Sequence, residues 1–83
     1  MKWFVYMLRC KDNSIYTGIT NDLNKRIEAH LSGNGSKYLR GKLPLKLVYK
    51  ENLLDRSEAS KREIEIKKLK KEKKELLINL KKL

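Results

Sequence analysis

The sequence holds one cysteine, one proline and four glycines, has no long apolar run, and is short of negative charge. Each shortage excludes something. Cys10 stands alone, which rules out an internal disulfide and a Cys-paired zinc site and suits a reducing compartment. The longest apolar run, Trp3 to Leu8, falls far below the roughly 20 residues that cross a bilayer, and no small-residue cleavage site follows it. These features predict a cytoplasmic chain with no membrane span, no signal peptide and no disulfide partner. At 83 residues the chain is expected to form one domain, 1–83. A domain of that size buries only about 60% of its unfolded surface, so an active site belongs in a shallow cleft.

Against 10 Asp and Glu stand 21 Lys and Arg, a formal net charge of +11. Residues 1–55 carry ten basic and five acidic side chains and residues 56–83 eleven and five, so the excess is spread through the fold. Apolar residues recur as far as Leu83, whereas a disordered basic tail lacks the side chains that offset ordering entropy. The balance predicts an anionic partner, nucleic acid before an acidic membrane surface. A membrane would use Lys67–Leu83 as an amphipathic helix, but the aliphatic stripe there is more simply a docking face.

Trp3–Leu8 is apolar on both faces and reads as a central strand; Lys11–Ser14 is turn chemistry, and Ile15–Thr20 resumes a β-rich run. Asn21 and Asp22 are N-cap candidates for a helix whose face is Leu23, Ile27 and Leu31, ended by Gly33. Ser32–Lys42 reads as a loop. Leu45–Lys50 alternates apolar and basic residues as a half-exposed third strand does. Asp55 with Glu58 resembles a capping box, with Ser57 as rival cap, for a helix from about Ser57 to about Leu69. After a break within Lys67–Lys74, Leu76, Leu80 and Leu83 mark a last helix. The order β-β-α-β-α-α predicts an α+β domain, a small three-stranded antiparallel sheet flanked by helices. The last two helices would cover one face and the first would lie at the side.

Some polar residues fall at the borders of the apolar faces. Arg26 and His30 are four apart beside the Leu23–Ile27 stripe, Glu63 lies close to the Ala59–Ile66 stripe, and Tyr6 and Tyr16 can be neighbours across the hairpin. A guanidinium, an imidazole, a carboxylate and two phenols could then converge. Each also has a plain structural reading. Either Tyr can be a packed β-former, Arg26 a solvated helix residue, His30 a partly buried ring with a satisfied nitrogen, and Glu63 half of an i, i+4 pair with Lys67. Composition and spacing alone reach a small basic α+β nucleic-acid binder.

The ordered set Phe4-Val5-Tyr6, Tyr16-Thr17-Gly18, Asn21-Asp22-Leu23-Asn24-Lys25-Arg26 with His30, the loop Gly33–Gly41 and the later Glu63 resembles the GIY-YIG nuclease superfamily. In particular it is similar to that superfamily's small standalone bacterial group. The resemblance implies a metal-dependent endonuclease hydrolysing phosphodiester bonds in DNA, with Tyr6, Tyr16, Arg26, His30 and Glu63 as catalytic residues. It implies that Glu63 holds a single Mg²⁺ or Mn²⁺, and that Gly18 stands where a side chain would crowd the site. The first motif lacks its glycine, and Thr17 replaces the usual aliphatic residue of the second. No specificity domain accompanies the motifs, which leaves room for a protein partner that supplies specificity. One Tyr would act as base, although ionising a phenol at pH 7 costs roughly 4 kcal/mol unless its surroundings favour it. Lys37, Arg40 and Lys42 are expected to contact the phosphate backbone, and Tyr38 to stack on a base. The alternative is a non-catalytic nucleic-acid-binding module with the same basic fold.

Overall fold

The structure, a computed structural model, describes residues 2–81. Three strands, β1 (Trp3–Arg9), β2 (Ile15–Thr20) and β3 (Lys46–Leu53), form an antiparallel sheet in the order β2-β1-β3, with helices α1 (Leu23–Leu31), α2 (Arg56–Lys67) and α3 (Lys71–Leu80). The apolar run of β1 is central, as its two-sided pattern predicts. Val5 and Met7 join Val48, Tyr49, Ile66 and Ile78 on one face, while Tyr6 and Leu8 join Cys10 and Leu39 on the other. Asn13 turns the β1–β2 hairpin at φ 70°, a left-handed conformation that Asn tolerates. In β3 the register shifts between Met7 and Leu8, which pair with Tyr49 and Leu47. Val48 is thus the extra residue, and the bulge lets Val48 and Tyr49 both be buried where strict alternation would expose one of them.

The helices start where the side chains dictate. Asp22 Oδ1 accepts the Lys25 N–H and Asp55 Oδ1 accepts the Glu58 N–H, so Asp55 rather than Ser57 caps α2. Gly33, at φ 83°, follows the end of α1. Helix α2 lies on the Val5–Met7 face through Ile66, and an ionic network fixes it to β3: Tyr49 Oη donates to Glu51 Oε2 at 2.6 Å, and Arg62 Nε donates to Glu51 Oε1 at 3.0 Å.

Three expectations change. Helix α1 does not lie at the side of the sheet; Leu23 and Ile27 pack against Tyr6 and Leu8, so it covers the opposite face. The Ser32–Lys42 segment is more than a loop. It contains a 3₁₀ turn, Lys37–Leu39, and Leu39 is wholly buried in that same cluster. In α3 the expected Leu76 and Leu80 stripe faces out, at 52% and 74% exposure, and the helix docks through Ile78 and Leu77. Its rotation is set by a bidentate pair, Arg9 to Glu75 at 2.6 and 2.7 Å, and by Lys71 Nζ donating to the Asn13 carbonyl. Leu83 lies outside the described residues. Among the described residues no helix is long and apolar enough to cross a membrane.

Candidate active site

The antiparallel register places Tyr6 opposite Gly18 and Tyr16 opposite Leu8, so the two phenols are diagonal neighbours on one face. Their ring centroids are 6.3 Å apart. Gly18 makes this possible. A Cβ there would meet Tyr6 Oη at 2.6 Å and Cζ at 2.8 Å, so the ring occupies the space a side chain would need.

His30 enters from the last turn of α1. Its ring lies 6.0 Å from that of Tyr6 and 5.4 Å edge-on from that of Tyr16, and Nε2 is 2.8 Å from Tyr6 Oη. Nδ1 accepts the Ser36 backbone N–H at 3.2 Å. The fourth ring, Tyr38, stacks on Tyr16 at 6.1 Å with Lys42 Nζ 4.6 Å over it. Tyr6 and His30 are buried, at 1% and 2% exposure, whereas Tyr16 is half-buried and lines an open cleft of about 220 Å³ with Thr17, Tyr38, Lys67 and Lys74.

Arg26 and Glu63 join this group through their charge. Burial pushes the Tyr6 phenol well above its ordinary value of 10, and Tyr16 and Glu63 act in the same direction, while the Arg26 guanidinium opposes them. Burial, with the Arg26 charge, holds His30 below its usual 6.5. Arg26 itself is exposed and lines a second shallow cleft with Thr20, Asn21, Asp22, Lys25 and Ala29. The carboxylate of Glu63, on the border of α2, is paired with Lys67 Nζ at 3.2 Å.

The loop residues differ in what they can offer. Lys37 is exposed, while Arg40 is exposed with Nε donating to the Gly33 carbonyl. Lys42 is ion-paired with Asp12 at 2.6 Å. Gly35 and Ser36 touch His30, and no periodicity in the sequence links them to that ring. Thr17 Oγ1 is buried without a hydrogen-bond partner among the described residues.

A family model described as the GIY-YIG catalytic domain matches residues 2–76. A UPF0213 protein of Clostridium perfringens is 54% identical over 78 residues, 94% of this chain and 84% of that protein. The solution NMR structure of a UPF0213 protein from Bacillus halodurans is similar at 46% identity and TM-score 0.65, covering 99% of this chain and 87% of that one. A solution NMR structure of a protein from E. faecalis is similar at 35% identity and TM-score 0.67, covering 96% and 85%.

Proposed function

Since the chain belongs to the GIY-YIG catalytic-domain family, in its UPF0213 group of small bacterial proteins, we propose that it is an endonuclease hydrolysing phosphodiester bonds in DNA. The observation that carries this reading is the contact set Tyr16–Tyr6–His30. A structural Tyr or His does not need the other rings. Their convergence is what a site for moving a proton beside an anion requires.

The two phenols take different parts. Tyr6 is enclosed and holds its proton, so it serves His30 as a hydrogen-bonding neighbour and Tyr16 as a packed ring. Tyr16 faces the open cleft and is the residue that meets water. Having given its own proton to solvent, it takes one from water, whose oxygen bonds to phosphorus while the bond to the leaving oxygen breaks; that oxygen keeps the electron pair and is protonated from solvent. Arg26 stabilises the charge that gathers on the phosphoryl oxygens.

Glu63 fits a divalent cation as a lone carboxylate. Among the described residues no three His, Cys, Asp or Glu side chains form a ready ligand set. Mg²⁺ accepts one carboxylate with water and substrate phosphate completing its shell. When bound, Mg²⁺ or Mn²⁺ supplies Lewis-acid stabilisation of the leaving oxygen. The loop would meet the DNA backbone through Lys37 and Arg40, with Lys42 contributing only if it leaves Asp12, and Tyr38 would stack on a base by its exposed part.

The test is cleavage of single-stranded, duplex and branched DNA with and without Mg²⁺ or Mn²⁺, beside Glu63→Ala. Metal-dependent cleavage lost in the variant is expected; equal cleavage by both proteins points to a contaminant and overturns the reading. The second reading, a binding module without turnover, is favoured by Lys67 neutralising Glu63. It requires salt-sensitive DNA binding that survives loss of Glu63, and it fails if Arg26→Ala abolishes cleavage with binding intact.

A further inference from the structure

The imidazole of His30 is held from two sides, at Nδ1 by the Ser36 N–H and at Nε2 by Tyr6 Oη. Burial and the Arg26 charge keep the ring neutral at pH 7. A neutral imidazole carries one proton, and a nitrogen that accepts an N–H cannot also carry it. The proton therefore sits on Nε2 and is donated to Tyr6 Oη. Tyr6, having received a donor, keeps its own O–H to offer on the side of the neighbouring Tyr16 ring, 6.3 Å away between centroids. The two bonds run in one direction, from a backbone amide through His30 to the Tyr6 phenol.

We infer that Gly35 and Ser36 are positioning residues that set this direction, because their turn supplies the N–H that selects the His30 tautomer from a place only glycine at 35 can provide. A Cβ on residue 35 would lie 2.1 Å from His30 Nδ1 and 2.8 Å from Cε1, so any side chain there drives the turn and the ring apart. The turn is anchored on its far side. Ser36 Oγ accepts the Tyr38 N–H, Arg40 Nε donates to the Gly33 carbonyl, and Leu39 is fully buried. In the opposite tautomer Nε2 would be an acceptor, Tyr6 would give its proton to His30, and no O–H of Tyr6 would be left to offer Tyr16. The inference rests on the nuclease reading only for its kinetic consequence; the tautomer itself belongs to the resting protein.

Two substitutions separate the N–H from the hydroxyl. Ser36 has φ −70°, which proline shares, so Ser36→Pro suits the backbone dihedral; it removes the amide donor and sets Cδ where the N–H pointed, so the ring must also give way. Ser36→Ala removes the Oγ cap and keeps the donor. The chain has a single His, so ¹⁵N NMR of the imidazole at pH 7.5 reads one ring. A pyrrole-type Nε2 and a pyridine-type Nδ1 are expected in the wild type and Ser36→Ala, with the Nδ1–H form populated in Ser36→Pro and Gly35→Ala. A wild-type proton on Nδ1 overturns the inference without any variant, and so does an unchanged ring in a folded Ser36→Pro. In cleavage assays Ser36→Pro should lower kcat roughly 10- to 100-fold with KM little altered, the effect of losing a group that orients a working side chain. If the tautomer responds while no protein cleaves DNA, the nuclease reading falls and the positioning role stands. If cleavage is normal and the tautomer indifferent, the positioning role alone falls.

Discussion

Lys67 Nζ lies 3.2 Å from Glu63 Oε2, one turn further along α2, so the carboxylate proposed to hold a divalent cation already faces a cation of the chain's own. The two must compete for the same charge. Lys67→Met should therefore lower the Mn²⁺ concentration for half-saturation by roughly 1.4- to fivefold, the equivalent of a partly exposed ion pair worth about 0.2–1 kcal/mol. Paramagnetic broadening of the amides around Glu63 would follow the titration. An unchanged midpoint would show that the ammonium and the metal do not share the site.

His30 should make stability depend on pH in a defined window. Its folded pKa lies below 6.5, chiefly through burial and then through Arg26, so the unfolded chain takes up a proton where the folded chain resists it. The contribution is complete above 6.5 and is lost as pH falls through the folded value. Urea midpoints for the wild type should decline from pH 7.5 to 5.5 more steeply than those of His30→Gln. Arg26→Ala removes one of the two causes, so the His30 midpoint read by proton NMR should move upward.

Leu39→Ala tests whether the segment after α1 belongs to the core. The side chain is fully buried beside Tyr6, Leu8 and Cys10, so truncation should cost about 2–5 kcal/mol. Chemical denaturation measures it. A loss near zero would return the segment to the status of a surface loop.

Thr17→Val should stabilise the protein by about 1 kcal/mol, because it keeps the shape and removes a hydroxyl with no partner among the described residues. Thermal unfolding of the two proteins compares them directly. A lower Tm for the valine variant would mean that the hydroxyl is satisfied, by water for example.

What could be read from the residues was local. The twofold period of β1 and β2 puts Tyr6 and Tyr16 on one face, and fourfold spacing puts Arg26 and His30 on neighbouring turns of α1. Spacing could not say that His30 would be sealed in while Arg26 stayed exposed, because the cover over His30 comes from Gly35, Ser36 and the buried Leu39. The docking face of α3 was hidden for a related reason. Leu76 and Leu80 make a plausible stripe, yet Arg9 and Lys71 fix the helix rotation through partners 66 and 58 positions away in sequence, and Ile78 is the residue turned inward. Asp55 prevailed over Ser57 as cap because its carboxylate reaches the Glu58 amide from outside the first turn.

The alternation along β1 ties folding quality to chemistry. Val5 and Met7 serve one apolar cluster, while Tyr6 and Leu8 serve the other. A slip of one residue against β2 and β3 would turn every side chain to the wrong face. The Tyr6 phenol would then leave the space over Gly18 and enter the apolar layer around Ile66, and Val5 or Met7 would stand before His30. A misregistered molecule would be both unstable and without the Tyr16–Tyr6–His30 contacts, so the hydrogen-bond ladder that makes the sheet acts as a proofreading step on the proposed site.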